Sequence, residues 1–402
     1  MILIEGGEVY SPESKGELNI LIGTEKILHV GKYKDLAALQ AIDQDTEVID
    51  ARNCYVTPSL VDPHEHLCGG SGEDGFATQT PSINSYELVK SGITTVVGCL
   101  GSDTITKNMA NLLAKVKSLE EVGISAFCYT GGYEVPPRTL THDIRTDILF
   151  VKEIIGLGEV ALSDERSRDP DLHDLARVVV DARVAGMLAK KAGLTHFHVG
   201  ELKNGLKQIF LLLEEYEVKP SCLYPTHLNR NSKLLADGAK LTKKGCFIDI
   251  DMCEEDGFDC LKTLLSHNAV KEHITFSSDA SVNTPESMFS QFRDCVVNHK
   301  VDLSEALLYV STNTAKVLKL NSKGTLETKS DADILIIDKK DFAIKTVISR
   351  GRVLLKDGSI AFRDPQELDS KRKLSYNGEK RGEFEAGQPP IQTGGRKRGA
   401  RC

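Results

Sequence analysis

Near both ends of the chain, apolar and polar positions alternate over short runs: residues 1–4, 18–22, 27–30 and 47–49 at the start, and 332–337, 344–349 and 352–355 towards the end. Turn residues separate the runs, among them Gly23, Gly31, Gly351 and the Asp357-Gly358 pair. A period of two bounded by such turns predicts half-buried strands. Two blocks of this kind around one long middle predict a small β-sandwich domain built from both chain ends, over residues 1–55 and 325–362.

The middle reads differently. Short apolar runs suited to buried strands fall at 56–64, 94–99, 124–130, 157–163, 194–200, 221–227, 246–251 and 273–279. Between them lie amphipathic helical patterns, for example 108–122, 172–192, 205–217 and 258–268. Eight strands alternating with helices imply parallel pairing through right-handed crossovers, and eight is the number that closes a barrel. The prediction is an α/β fold, a (β/α)8 TIM barrel over residues 56–324. An open doubly wound sheet is the competing architecture, weakened because no Gly-x-Gly-x-x-Gly element follows the first strand. Residues 363–402 are polar, rich in Gly, Lys and Arg, and too poor in apolar side chains to offset the entropy of ordering. A disordered tail is expected there.

Composition narrows the function. A net charge of −8 argues against a nucleic-acid partner, and a small-molecule substrate is the better expectation. The start carries no basic region followed by an apolar stretch, and no uncharged run approaches the length of a membrane span. The ten cysteines lack a Cys-x-x-Cys pair or regular spacing. They read as reduced, mostly buried apolar residues and not as a disulfide framework or zinc site, which suggests the cytoplasm and no membrane partner.

The sharpest chemical signal is Asp62-Pro63-His64-Glu65-His66, at the end of the first predicted barrel strand. In extended chain, residues two apart share a face, so His64 and His66 can present two imidazoles to one metal. Hydrogen-bonded structural histidines are the alternative. Glu159 on the fourth strand and His198, His227 and Asp279 at the ends of the fifth, sixth and eighth point to the same rim, where barrel active sites are built. Carboxylates and imidazoles buried at one point need charge compensation, and a divalent metal supplies it.

The Asp-Pro-His-Glu-His segment, the later single histidines and the closing Ser277-Ser278-Asp279 resemble the amidohydrolase superfamily. Residues 68–73 (CGGSGE), 96–102 (VVGCLGS), 130–138 (TGGYEVPPR), 163–167 (SDERS) and 225–231 (PTHLNRN) resemble its isoaspartyl dipeptidase family more specifically. The resemblance runs from the N-terminus to about residue 360 and leaves the tail uncovered.

This resemblance implies hydrolysis of the isopeptide bond of β-aspartyl dipeptides by a zinc-activated hydroxide. It implies two zinc ions per subunit, one held by His64, His66 and Asp279 and the second by His198 and His227. Asp279 would act as general base and then acid, and Tyr133 would polarise the scissile carbonyl. Arg166 and Arg230 would grip the substrate carboxylates, Glu73 would pair with its amine, and Ser102 would add a hydrogen bond. Ser281 or Asn283 would also contact substrate. A homo-oligomer is implied by the same analogy. The chain departs from the family at one point: a carboxylated lysine usually bridges the metals, whereas Glu159 occupies that place here. Its shorter side chain requires a closer backbone, which the extra residue within Gly156-Leu157-Gly158-Glu159 could provide.

Two further readings compete. A cyclic-amide hydrolase of the dihydroorotase or hydantoinase type would need the metals but not Glu73, Arg166 and Arg230. A non-catalytic scaffold on the same fold would lack ligands, whereas all four histidines and Asp279 are present.

Overall fold

The computed structural model describes residues 1–32, 35–72, 74–253, 256–281 and 283–365. The N-terminal strands are β1 (Ile2–Tyr10), β2 (Ser14–Gly23), β3 (Lys26–Gly31), β4 (Glu47–Asp50) and β5 (Cys54–Pro58). The middle supplies β6 (Leu60–Glu65), β7 (Ile93–Gly98), β8 (Ser125–Thr130), β9 (Ile154–Leu162), β10 (Thr195–Val199), β11 (Leu223–Thr226), β12 (Ile248–Asp251) and β13 (Ile274–Ser277). Near the C-terminus come β14 (Ile334–Asp338), β15 (Ile344–Ser349), β16 (Arg352–Lys356) and β17 (Ser359–Ile360).

Both chain ends contribute to one hydrogen-bonded sheet of nine strands, ordered β17-β16-β15-β14-β5-β1-β2-β3, with β4 also paired to β1. Strand β14 shows why its sequence is apolar at almost every position. Ile334 and Ile336 join Val9, Ile20 and Val56 in a core of the sheet's own, while Leu335 and Ile337 join the barrel core on the opposite face. Alternate residues point to opposite faces, so a strand covered on both sides loses its polar positions.

Six of the middle strands form a parallel sheet in the order β11-β10-β9-β8-β7-β6, and β12 pairs in parallel with β13. The two pieces meet on both sides. A bridge between Glu65 and Ala280 joins β6 to the end of β13. On the other side, buried Asp249 of β12 accepts hydrogen bonds from Thr226 Oγ1 at 2.7 Å and, across β13, from Thr275 Oγ1 at 2.6 Å. The eight strands thus curl into the expected barrel. The helix Met109–Val122 illustrates its outer ring: Asn108 caps its start by accepting from the Asn111 amide, and Gly123 ends it with φ 109°. Met109, Leu112, Val116, Leu119 and Val122 form its buried stripe.

Two boundaries differ from expectation. The first barrel strand, expected over 56–64, is divided at Ser59, whose amide donates to the Asp333 carbonyl at 3.1 Å. β5 stays in the nine-stranded sheet and β6 starts the barrel. The tail expected from residue 363 starts too early, because Asp364 is buried; it accepts from the Ser85 hydroxyl, and its amide donates to Tyr86 Oη at 2.9 Å. The remainder of that segment, from 366, lies outside the described residues. No helix among the described residues is long and apolar enough to cross a membrane.

Candidate metal centre

The C-terminal ends of the barrel strands bring His64, His66, Glu159, His198, His227 and Asp279 together, and all but the partly exposed His66 are buried. Glu159 is at the centre. Its Oε2 lies 3.4 Å from His64 Nε2 and 3.8 Å from His66 Nε2, and its Oε1 lies 2.7 Å from His198 Nδ1 and 3.3 Å from His227 Nε2. One carboxylate therefore faces two imidazole pairs, one with each oxygen.

A local irregularity delivers it there. Thr195 pairs with Leu157 and Phe197 with Val160, so Gly158 and Glu159 together stand opposite the single residue His196. Such a bulge bends a strand and re-aims a side chain. Position 158 must be glycine: its φ is +152°, and an added Cβ would come within 2.8 Å of His196 Cβ. The extra residue noticed in the sequence is this bulge.

Asp279 is fixed by the closure of the barrel. Its amide donates to the His64 carbonyl at 3.1 Å, and the His66 amide donates to the Ala280 carbonyl at 3.0 Å. Asp279 Oδ1 then lies 3.3 Å from both His64 Nε2 and His66 Nε2. Asp279 and His227 adopt left-handed backbone conformations, with φ 46° and 62°. Non-glycine residues rarely do so, and such outliers gather at functional sites.

Charge and burial oppose each other here. Burial alone would raise the carboxyl pKa values of Glu159 and Asp279, but the surrounding imidazoles outweigh it and hold both below the usual range. At Tyr133 burial dominates, aided by the Glu159 charge, and keeps the phenol protonated. Both His64 ring nitrogens and Asp279 Oδ1 are buried without a hydrogen-bond partner. Orphaned polar atoms facing one another are costly unless something else satisfies them. The donor set of imidazole nitrogens and carboxylate oxygens suits a divalent cation such as zinc. His64, His66 and Glu159 form one group able to hold it, and Glu159, His198 and His227 form another.

Several of the remaining predicted residues fall around a cavity of about 420 Å³ bordered by His66, Tyr133, Arg166, His198, His227 and Asp279. Tyr133 Oη is 2.8 Å from His198 Nδ1. Arg166 Nη2 and Arg230 Nη1 reach His198 Nε2 at 3.0 and 3.1 Å. Ser102 and Ser281 line the cavity. Asn283 does not line it; its amide donates to the Met252 carbonyl at 3.2 Å, which separates the pair that the sequence left open. Glu73 lies outside the described residues.

Sequence reasoning missed three residues. Asp251 Oδ2 lies 2.8 Å from His227 Nδ1, and Asp164 Oδ2 lies 2.9 Å from His198 Nε2. Carboxylates on the far nitrogen of a ligating histidine fix its tautomer and orientation. Asp251 ends the seventh strand, and that position was the available signal. The third is Cys99: all nine cysteines among the described residues are free, as expected, and this thiol, besides packing with Val61, Val97 and Tyr129, stands with His64, His66 and Glu159 in a group that could hold a metal ion.

The amidohydrolase family profile matches residues 55–354. The solved β-aspartyl dipeptidase of the thermophilic keratin degrader Fervidobacterium islandicum AW-1 superposes with a TM-score of 0.85 at 38% identity, covering 90% of this chain and 99% of that one. Its complex with the β-Asp-Leu dipeptide gives 0.84 and 37%, with coverages of 90% and 98%. Among curated relatives, the imidazolonepropionase of Colwellia psychrerythraea is 30% identical over 135 residues, so the match spans 33% of this chain and about a third of that protein, 32%. The dihydroorotase of Aquifex aeolicus aligns over 90% of this chain and 99% of its own length at 23% identity. The chain is a metal-dependent hydrolase of the amidohydrolase family, and within that family it groups with the β-aspartyl dipeptidases.

Proposed function

We propose that this protein hydrolyses β-aspartyl dipeptides. The observation that carries this reading is the placement of Tyr133, Arg166 and Arg230 around His198, with Tyr133, Arg166 and His198 bordering the cavity into which the histidine and carboxylate cluster opens. A β-aspartyl dipeptide presents two carboxylates and one amide carbonyl, which matches two guanidinium groups and one neutral phenol donor gathered at His198.

His64, His66 and Asp279 would hold one divalent cation and His198 and His227 a second, with Glu159 shared between them. When bound, the cations supply Lewis acidity and bring the pKa of water towards ~7. Asp279 takes the proton of the attacking water as its oxygen adds to the side-chain carbonyl carbon of the aspartyl residue. It then delivers that proton to the departing amine as the C–N bond breaks, releasing aspartate and a free amino acid. Tyr133 donates its hydroxyl proton as a hydrogen bond to the carbonyl oxygen while negative charge grows there. Arg166 and Arg230 orient the substrate through its carboxylates, so that the isopeptide bond faces Asp279.

The test is incubation of the cation-loaded protein with β-Asp-Leu, α-Asp-Leu and dihydroorotate. Cleavage of β-Asp-Leu with little attack on the other two is expected. Hydrolysis of dihydroorotate with β-Asp-Leu left intact would assign the site to cyclic amides. No turnover of any of the three would remove the dipeptidase reading.

A further inference from the structure

We infer that Cys99 is a sulfur ligand to the cation held at the His64–His66 side of the centre. The inference rests on the proposal that cations bind this cluster, and goes beyond it in giving one of the two positions a thiolate.

Cys99 follows directly on β7, and its amide donates to the Glu65 carbonyl at 3.0 Å, which extends the β6–β7 pairing by one step. This backbone tie turns the side chain to the inside of the rim between His66 and Glu159. The sulfur lies 3.9 Å from Glu159 Oε2, and 3.9 Å from Nδ1 of His66, the ring nitrogen other than the one that faces Glu159 and Asp279. A tetrahedral zinc with Zn–S of ~2.3 Å and Zn–N or Zn–O of ~2.0–2.1 Å separates sulfur from a neighbouring ligand atom by about 3.6 Å. The spacing to Glu159 Oε2 exceeds that value by a few tenths of an ångström.

The surroundings point the same way. Cys99 is 2% exposed and forms no disulfide, and its group includes His64, whose two ring nitrogens are buried without a hydrogen-bond partner. Cys99 also packs with Val61, Val97 and Tyr129, and its thiol reaches the Glu65 carbonyl at 3.6 Å, but packing alone does not require a sulfur 3.9 Å from Glu159 Oε2. With Cys99 the cation at this position would have two imidazoles, the carboxylates of Asp279 and Glu159, and a sulfur. The other position would have imidazoles and a carboxylate alone. Binding replaces the S–H bond by an S–metal bond and releases the thiol proton to solvent. Thiolate favours thiophilic ions such as zinc, cadmium and cobalt over magnesium and manganese, so the two positions would differ in metal preference.

The direct readout is spectroscopic and does not depend on turnover. The full-length protein is stripped of metal and titrated with Co2+, with bound cobalt counted in parallel. The inference predicts a sulfur-to-cobalt charge-transfer band in the near ultraviolet that is lost in Cys99→Ser and kept in Cys253→Ser. Cys253 is the necessary control because its sulfur lies 3.5 Å from Asp279 Oδ2. Cys99→Ser should also weaken zinc binding about 10–100-fold in a chelator competition while manganese binding changes far less. Should Cys99→Ser fail to fold, 113Cd NMR of the unaltered protein decides instead, since a sulfur-bound cadmium resonates well downfield of one bound by nitrogen and oxygen alone.

Cobalt bound without the band would overturn the inference and leave the proposed centre standing, with Cys99 reduced to an outer hydrogen-bonding thiol. A band that survives in Cys99→Ser, or disappears in Cys253→Ser, would overturn it as well. No cobalt bound at all would remove both the inference and the centre.

Discussion

The two halves of the centre are built on different principles. On the His198–His227 side each imidazole lies between two carboxylates. His198 has Glu159 at 2.7 Å and Asp164 at 2.9 Å, while His227 has Glu159 at 3.3 Å and Asp251 at 2.8 Å. On the His64–His66 side no carboxylate completes the far nitrogen of either ring among the described residues. Neither His64 ring nitrogen has a hydrogen-bond partner, and the far nitrogen of His66, Nδ1, faces the Cys99 thiol at 3.9 Å while its Nε2 lies 3.3 Å from Asp279 Oδ1. Backbone contacts hold this half instead, through the His64 amide on Asp62 Oδ1 at 3.1 Å and the His66 amide on the Ala280 carbonyl at 3.0 Å. The first half keeps its shape by side-chain hydrogen bonds whether or not a cation is present. In the second, His64 Nε2, which faces Glu159 and Asp279, has no hydrogen-bond partner and would be satisfied by a bound cation.

Substitutions can break or sharpen this contrast. Asp279→Asn removes the proton carrier from the unsupported half and should lower turnover of β-Asp-Leu by about 10³-fold or more with the fold intact; near-normal turnover would contradict its role. Glu159→Gln keeps the volume of the shared residue but removes its charge. It should weaken cation binding at both positions by more than about 100-fold, read by metal analysis after dialysis. Asp251→Asn makes the supported half resemble the other, and should cost about 10–100-fold in cation affinity at the His198–His227 position only. An equal loss at both positions would show that the halves are not independent.

Arg230→Lys leaves both halves loaded and replaces a planar fork by a point charge, so kcat/KM should fall about tenfold through KM. An unchanged value would take Arg230 out of substrate capture. Leu335→Ala, in the strand buried on both faces, should lower stability by about 2–5 kcal/mol in denaturant unfolding. Activity per folded molecule should not change, since Leu335 packs in the core and takes no part in the centre.

Most of the architecture was legible because buried parallel strands are short apolar runs, and polar residues at their ends stand out. His64, His66, His198, His227 and Asp279 were all visible in this way. Glu159 was legible as a departure from the family pattern, and the bulge that aims it was foreshadowed by one extra residue. Asp251 and Asp164 were harder, since they lie 24 and 34 residues from the histidines they orient and acquire a partner only when the strands align. Cys99 was legible as a free thiol packed among apolar residues, but its place beside His66 and Glu159 was hidden for a related reason, since it arises only when the strands align. The division at Ser59 was also hidden, because Cys54–Pro58 and Leu60–Glu65 are buried almost without interruption although they serve two different sheets.

Anomalous diffraction from zinc-soaked crystals, collected on either side of the zinc absorption edge, tests the central claim most directly. Two peaks per chain are predicted, one against His64 and His66 and one against His198 and His227, with one oxygen of Glu159 on each. A single peak, or two peaks with Glu159 turned away from either, would contradict the shared carboxylate on which the account depends.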